Sequence, residues 1–283
     1  MKHRLLVLQM ATPVLAILFG MLSASVIILA IGRNPLDVYA VMVRFNLTRT
    51  DSLFSILFKT TPLIFAGLAV ALSFRVSLFN IGVEGQYYIG AFCAALVGFS
   101  LRGLPAVLHL PLALLAAAGG AMVWALVPIV LKLRRGAHEV ITTIMMNYIA
   151  SALLLYLIND VFRDPTQIGT PRVRTPLVVA HGSDVEKLNL LLPVGIVIAV
   201  VLAYFLSRTR FGYEVRAVAF NPLAAEAAGI PNARVQFGMF MLSAGIAGLV
   251  GLNDILGFFG YLDIDFPKGL GFLGISVALL AKN

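Results

Sequence analysis

From Leu5 to Ile31 this chain carries no charged side chain. A helix of that length is longer than the roughly 30 Å of hydrocarbon it would have to cross in a bilayer. Comparable apolar runs follow at Ile56–Phe74, Leu78–Leu101, Ala106–Leu133, Val140–Ile158, Leu190–Leu206 and Val235–Leu256, and a last one starts near Leu270. With the first placed at Val7–Ile31, they predict an all-α, polytopic transmembrane helical bundle of about eight spans, each needing some 20 apolar residues. Only helices and closed barrels satisfy their backbone inside lipid, and runs this long select the helix.

Composition agrees. Of 283 residues, 60% are hydrophobic and 12% charged, and mean hydropathy is +0.97. A soluble domain carries roughly 25% charged residues, and one of this size has too little interior to hide so much apolar surface. The net charge of +8 does not point to nucleic acid, because the basic residues lie between apolar runs. There they set orientation and meet anionic headgroups of membrane lipid.

Several classes drop out. The N-terminal run after Lys2, His3 and Arg4 is too long for a cleaved signal peptide. Cys93 is the single cysteine, so no intrachain disulfide forms. No Cys/His spacing suits a metal; His138-Glu139 starts like a zinc-protease motif, but Thr142 stands where the second His is needed. No GxxxxGK[ST] loop is present, so no cofactor is expected in this chain. The last run holds only about a dozen residues, short for a span, and the sequence is expected to be a C-terminally truncated piece of a longer protein.

Residues 1–283 read as one transmembrane domain with a loop at 207–234 on one face. Lys132, Arg134 and Arg135 form one basic cluster, and Arg208, Arg210 and Arg216 another. The positive-inside rule puts both, with the N-terminus, in the cytoplasm. Arg163, Arg172 and Arg174 fall on the other side, in company with Asp160, Asp164 and Asp184. In the 207–234 loop, Asn221-Pro222 starts a short alanine-rich helix and Gly229 and Pro231 end it. An isolated helix of about two turns is marginal in water, so docking onto a partner is expected, a plain connector being the other reading. Small residues four apart, Ala116 with Gly120, Ala244 with Gly248 and Ala247 with Gly251, predict close helix packing.

Two segments carry polar groups inside apolar runs. Asn80, Glu84 and Gln86 accompany Gly82 and Gly85, which predict a broken third helix. An acid inside a membrane is paired and faces the protein interior. It either contacts a solute or accepts hydrogen bonds from the exposed amides of the restarting helix. In the fifth run Glu139, Thr143, Asn147 and Ser151 lie four apart, with Thr142 beside them. That stripe faces either a pore or another helix.

These stretches carry a resemblance. Asn80–Gln86 resembles the Asn-Ile-Gly-x-Glu-Gly-Gln signature, and Glu139–Asn147 the Glu-Val-Ile-x-Thr-x-Met-x-Asn run, of permease subunits of ATP-binding-cassette importers in the nucleoside and simple-sugar branch. Asn221–Ile230 is similar to their ATPase-coupling segment, and Gly269–Ala281 to a late segment. The resemblance covers the chain from its first helix onward and implies a transporter subunit in the bacterial cell membrane, not an enzyme. It implies a pathway through Asn80, Glu84, Gln86, Glu139, Thr142, Thr143 and Asn147. Coupling would use Asn221, Pro222, Ala224, Ala225, Glu226, Ala227, Gly229 and Ile230. Implied partners are cytoplasmic ATPase subunits, a second permease chain, like or unlike, and an extracytoplasmic binding protein or lipoprotein. The loop lacks the full Glu-Ala-Ala…Gly…Ile-x-Leu-Pro pattern of the wider superfamily. The competing reading from the residues alone is an ion-coupled secondary transporter, with Glu84 as its coupling acid. A membrane enzyme would need paired carboxylates or a nucleophile dyad that this sequence does not display.

Overall fold

A computed structural model describes residues 2–101, 103–166, 169–173, 178–181 and 187–281. Arg174 and Asp184, expected in the loop opposite the basic clusters, lie outside the described residues. The chain divides into two units, Met1–Leu53 and Phe54–Asn283.

In the first unit, α1 (Lys2–Ala30) and α2 (Pro35–Thr48) are bent against each other by 116°. The bend is written in Asn34-Pro35. Asn34 Oδ1 accepts from Leu36 N at 3.0 Å, and proline takes the first helical turn, where no N–H partner is required. Tyr39 Oη donates to Met21 O at 2.7 Å and braces the corner.

The second unit contains α3 from Phe54 onward (Thr50–Phe74), α4 (Val83–Ser100), α5 (Ala106–Arg135), α6 (Glu139–Tyr156), α7 (Leu191–Arg208), α8 (Arg210–Phe220), α9 (Pro222–Ala227), α10 (Asn232–Gly248), the short α11 (Leu252–Asp254) and α12 (Leu270–Leu280). A π-helical turn, Ile255–Phe259, extends α11, so that Asn232–Phe259 forms one apolar span. The segment between α6 and α7 carries a short antiparallel pair, Val178–His181 with Lys187–Asn189.

The bundle is organised around α4 and α10. Both pack against α5 and against each other, and α4 also meets α6 and α12. Their approach is close because the contact is built from small residues. A Cβ on Gly248 would lie 2.3 Å from the Ala117 carbonyl, and one on Gly90 would lie 2.6 Å from Gly248 Cα. Backbones at this separation gain dispersion contact that larger side chains would forbid. Gly120 and Gly251 take part as their spacing predicts, Gly120 against Cys93 and Gly251 against Ala91. At the α5 crossing the contact falls to Ala117, one position on from Ala116. Within Asn232–Phe259, 72% of an 18-residue stretch is buried, against only 17% in Leu191–Arg208, so the first is core and the second presents most of its surface outward, to lipid.

Among the described residues five helices are long and apolar enough to cross a bilayer, or six if the bent α1–α2 pair counts as one. The expectation of about eight spans is not reached by this measure, for identifiable reasons. The third run loses its first turn to a break and starts with Glu84 and Gln86, which lower its hydropathy. The last run forms a helix of 11 residues, and the first run belongs to the bent pair.

Candidate functional site

The third run breaks where its glycines and polar residues coincide. After α3 ends at Phe74 the chain turns, with Ser77 at φ 56°, and α4 begins at Val83 directly after Gly82. Gly85 lies inside α4 and is not a second break. Asn80 and Gln86 bond reciprocally, Asn80 Nδ2 to Gln86 Oε1 at 2.9 Å and Gln86 Nε2 to Asn80 Oδ1 at 3.0 Å. Asn80 Nδ2 also donates to Ser243 Oγ at 2.9 Å, and Ser243 Oγ donates to Ala69 O at 2.6 Å. The turn is thereby tied to α3, α4 and α10.

Asn147 bridges the break from α6. Its Oδ1 accepts from Gly85 N at 2.8 Å and its Nδ2 donates to Ile81 O at 2.9 Å. An interrupted helix leaves such groups without partners, and in a membrane they must be satisfied by protein. At 1.5 Å per residue, Asn147 stands about 12 Å along its helix from Glu139 and Ser243 about 16 Å from Asn232. The break therefore lies well inside the bundle. Thr143 is fully buried beside Gly82, and its hydroxyl donates to its own helix at Glu139 O, 2.7 Å away.

Glu84 points elsewhere. It is 4% exposed. Its Oε1 accepts from Tyr88 Oη at 2.7 Å and from Gly269 N at 2.5 Å, and its Oε2 accepts from Gly271 N at 2.8 Å. Tyr87 Oη sits 3.3 Å from Oε1 and also donates to the Pro267 carbonyl. The amides belong to the first turn of α12, so a carboxylate occupies the positive end of that helix. Glu84 does accept hydrogen bonds from helix-start amides, but from α12, 185 and 187 positions away in sequence, and not from α4. A Cβ on Gly271 would lie 2.5 Å from Glu84 N, so the close contact requires glycine there.

The remaining pathway candidates do not join this cluster. Glu139 Oε2 pairs with Lys132 Nζ at 2.8 Å and clamps the end of α5 to the start of α6. Thr142 Oγ1 bonds back to Glu139 O at 3.1 Å. The structure thus gathers Asn80, Gln86, Thr143 and Asn147 at the break, sets Glu84 against α12, and leaves Glu139 and Thr142 at a helix junction.

The 207–234 loop has the local structure its sequence predicts, with one addition. Asn221 caps α9, its Oδ1 accepting from Leu223 N and Ala224 N at 3.1 Å each. Gly229 adopts φ +82°, a left-handed conformation that ends the helix at little cost only for glycine. Ala225 is buried, while Pro222, Ala224, Glu226, Ala227 and Gly229 are exposed. Asn232 Nδ2, at the start of α10, donates to Pro222 O at 2.7 Å and reaches Glu226 Oε2 at 3.4 Å. The addition is α8, an amphipathic helix that brings Phe220, 94% exposed, to the elbow beside Leu223 of α9, 79% exposed.

A cavity of about 530 Å³ opens between α3, the end of the α10–α11 span and the start of α12. Phe58, Phe258 and Phe259 give it aromatic walls, and Leu270 and Leu273 an aliphatic one. Asn253 and Asp254 also line it, with exposed Lys59 and Asp265. Asn253 is held by Asn189 Nδ2 at 2.9 Å and donates to Phe58 O at 3.3 Å. None of the seven pathway residues taken from the sequence lines this cavity. The signal that finds Asp254 is the one applied to Glu84, an acid within an apolar run.

The family model for the permease component of branched-chain amino acid transport systems matches residues 52–283. The chain is 36% identical over 282 residues to the guanosine ABC transporter permease protein NupP of Bacillus subtilis, covering 97% of this chain and 80% of that protein. It is 34% identical over 292 residues to the glucose ABC transporter permease protein TsgB13 of Haloferax volcanii, covering 98% and 76%. It is 32% identical over 290 residues to the nucleoside ABC transporter permease protein NupB of Lactococcus lactis, covering 97% and 79%. No solved structure matches. A multi-pass helical bundle with a mid-bundle helix break, matched by one permease model over most of its length, belongs to the family of branched-chain amino acid transport system permease components.

Proposed function

We propose that this chain forms the membrane pathway of an ATP-driven importer for nucleosides or simple sugars. The observation that carries the reading is the Asn232–Phe259 span. At its first residue, Asn232 holds α9; near its last turns, Asn253 and Asp254 line the 530 Å³ cavity. A stretch of 28 residues reaches about 42 Å at 1.5 Å per residue. One packed element thus links an exposed docking elbow to a chamber sized for a small solute.

In this reading a cytoplasmic ATPase subunit docks on α9 and on the apolar knob of Phe220 and Leu223. Nucleotide-driven movement of that subunit pulls α9, and Asn232 passes the movement into α10. The cavity then changes its access from one side of the membrane to the other. The basic ends of α5 and α7 set the docking face in the cytoplasm by the positive-inside rule, with the N-terminus on the same side. A second permease chain completes the pathway, and an extracytoplasmic binding protein or lipoprotein delivers the solute. Relatives that carry guanosine, nucleosides and glucose support this cargo class. All of these are neutral and rich in hydroxyl groups.

Replacing Phe220 and Leu223 together with aspartate tests the docking face. The expected result is loss of ATPase copurification and of uptake, with the melting temperature of the purified permease unchanged. Full uptake by the double variant would refute the coupling assignment.

A further inference from the structure

Asp254 is 6% exposed, and among the described residues no other side chain bonds to its carboxylate. Glu84, equally buried, has its oxygens fully occupied by helix amides and tyrosine hydroxyls. An ionisable group inside a bundle that no neighbouring side chain holds is by default a candidate for the binding path. Asp254 also stands where a ligand can reach it, on the wall of the 530 Å³ cavity.

Its surroundings define what that ligand looks like. Asp254 and Phe258 are four residues apart and share one face of the span, with Phe259 beside them. Phe58 packs edge-on against Phe258 in the cavity lining, ring centroids 5.7 Å apart. The chamber therefore offers aromatic surface to a flat ring and, beside it, a carboxylate that accepts two hydrogen bonds at once. Two hydroxyls on adjacent carbons match that acceptor pair.

We propose that Asp254 is a specificity-determining residue that accepts both hydroxyls of the ribose cis-diol while the Phe58–Phe258–Phe259 wall holds the base. The assignment rests on the cavity being the solute site of the importer proposed above. Removing one hydroxyl leaves a carboxylate oxygen without its donor in a site lined mainly by apolar side chains, and sites built to bond a hydroxyl reject the deficient analogue.

The test is uptake of guanosine against 2′-deoxyguanosine by the assembled complex, comparing wild type with Asp254→Asn and Asp254→Glu. Wild type is expected to prefer the ribonucleoside about tenfold, the loss expected from one hydrogen bond to a charged acceptor. Asp254→Asn, which keeps the shape but offers one acceptor, is expected to bring the ratio within about threefold of unity. Asp254→Glu retains the charged acceptor and is expected to keep a preference. A wild type that does not discriminate overturns the proposal without need of any variant. So does an Asp254→Asn variant that keeps the wild-type ratio, because the choice is then made elsewhere, for instance in the delivering protein. Uptake of neither nucleoside by wild type removes the importer reading for this cargo, and this assignment with it.

Discussion

The helix break and the α8–α9 elbow are opposite solutions for side chains that do not match their surroundings. At the break, polar groups sit inside an apolar bundle, and nearly every one is paired with a backbone or side-chain partner. At the elbow, Phe220 and Leu223 stand outside the spans with most of their surface uncovered. The first region is saturated and the second is not. Polarity inside a membrane protein therefore does not by itself mark the pathway. Unmet bonding or burial capacity is the better guide, and it points to Asp254 and to the elbow.

Removing partners at the break should have the largest effect. Asn147→Ala leaves Gly85 N–H and Ile81 C=O unpaired, at about 1–3 kcal/mol each, so a loss of about 2–6 kcal/mol is expected. Thermal melting in detergent checks it, and an unchanged melting point would mean that the break is held by something else. Gly271→Ala comes next. Its new Cβ meets Glu84 backbone that cannot move aside, and overpacking of this kind costs about 1–3 kcal/mol. Gly248→Ala, pressed against the Ala117 carbonyl, provides a control of similar size away from the polar cluster.

The elbow should respond in the other sense, with function lost and stability kept. Gly229→Ala forces a left-handed conformation on a residue with a Cβ, costing about 1–2 kcal/mol locally. Reduced ATPase copurification with no change in global melting is expected, and a global destabilisation would show that α9 is part of the core. Smallest is Asn221→Ala, which removes a helix cap worth about 1 kcal/mol. Amide exchange confined to 222–228 should rise, whereas a protected segment would mean that α9 is held by packing alone.

Much of this was readable from the sequence where the information is local. Asn221-Pro222 and Gly229 predict α9 because capping and left-handed glycine act over a few residues. The same Asn-Pro signal at Asn34-Pro35 starts α2, yet a reading by apolar runs alone passes over it. Helix α8 is hidden because it mixes Arg210, Glu214 and Arg216 with apolar residues, and its period shows only once Arg210 and Glu214 are seen to pair at 3.3 Å. The partners of Glu84 are set by tertiary packing across more than 180 positions. No local pattern distinguishes an acid that caps a distant helix from one that contacts a solute. The cavity is a property of three elements meeting, and of its lining only Asp254 stands out in sequence as an acid within an apolar run.

The central claim is that Glu84 anchors the start of α12, whose Leu270 and Leu273 line the cavity, while Asp254 meets the solute. The most direct measurement is the KM for uptake, taken with the melting temperature, for Glu84→Gln in the assembled complex. The glutamine keeps one acceptor but turns an N–H₂ toward the α12 amides, so stability should fall by about 1.5–3 kcal/mol. The KM of the folded fraction should stay within about twofold of wild type, as for an interaction remote from the solute. A KM raised tenfold or more at an unchanged melting temperature would contradict the account and return Glu84 to the pathway.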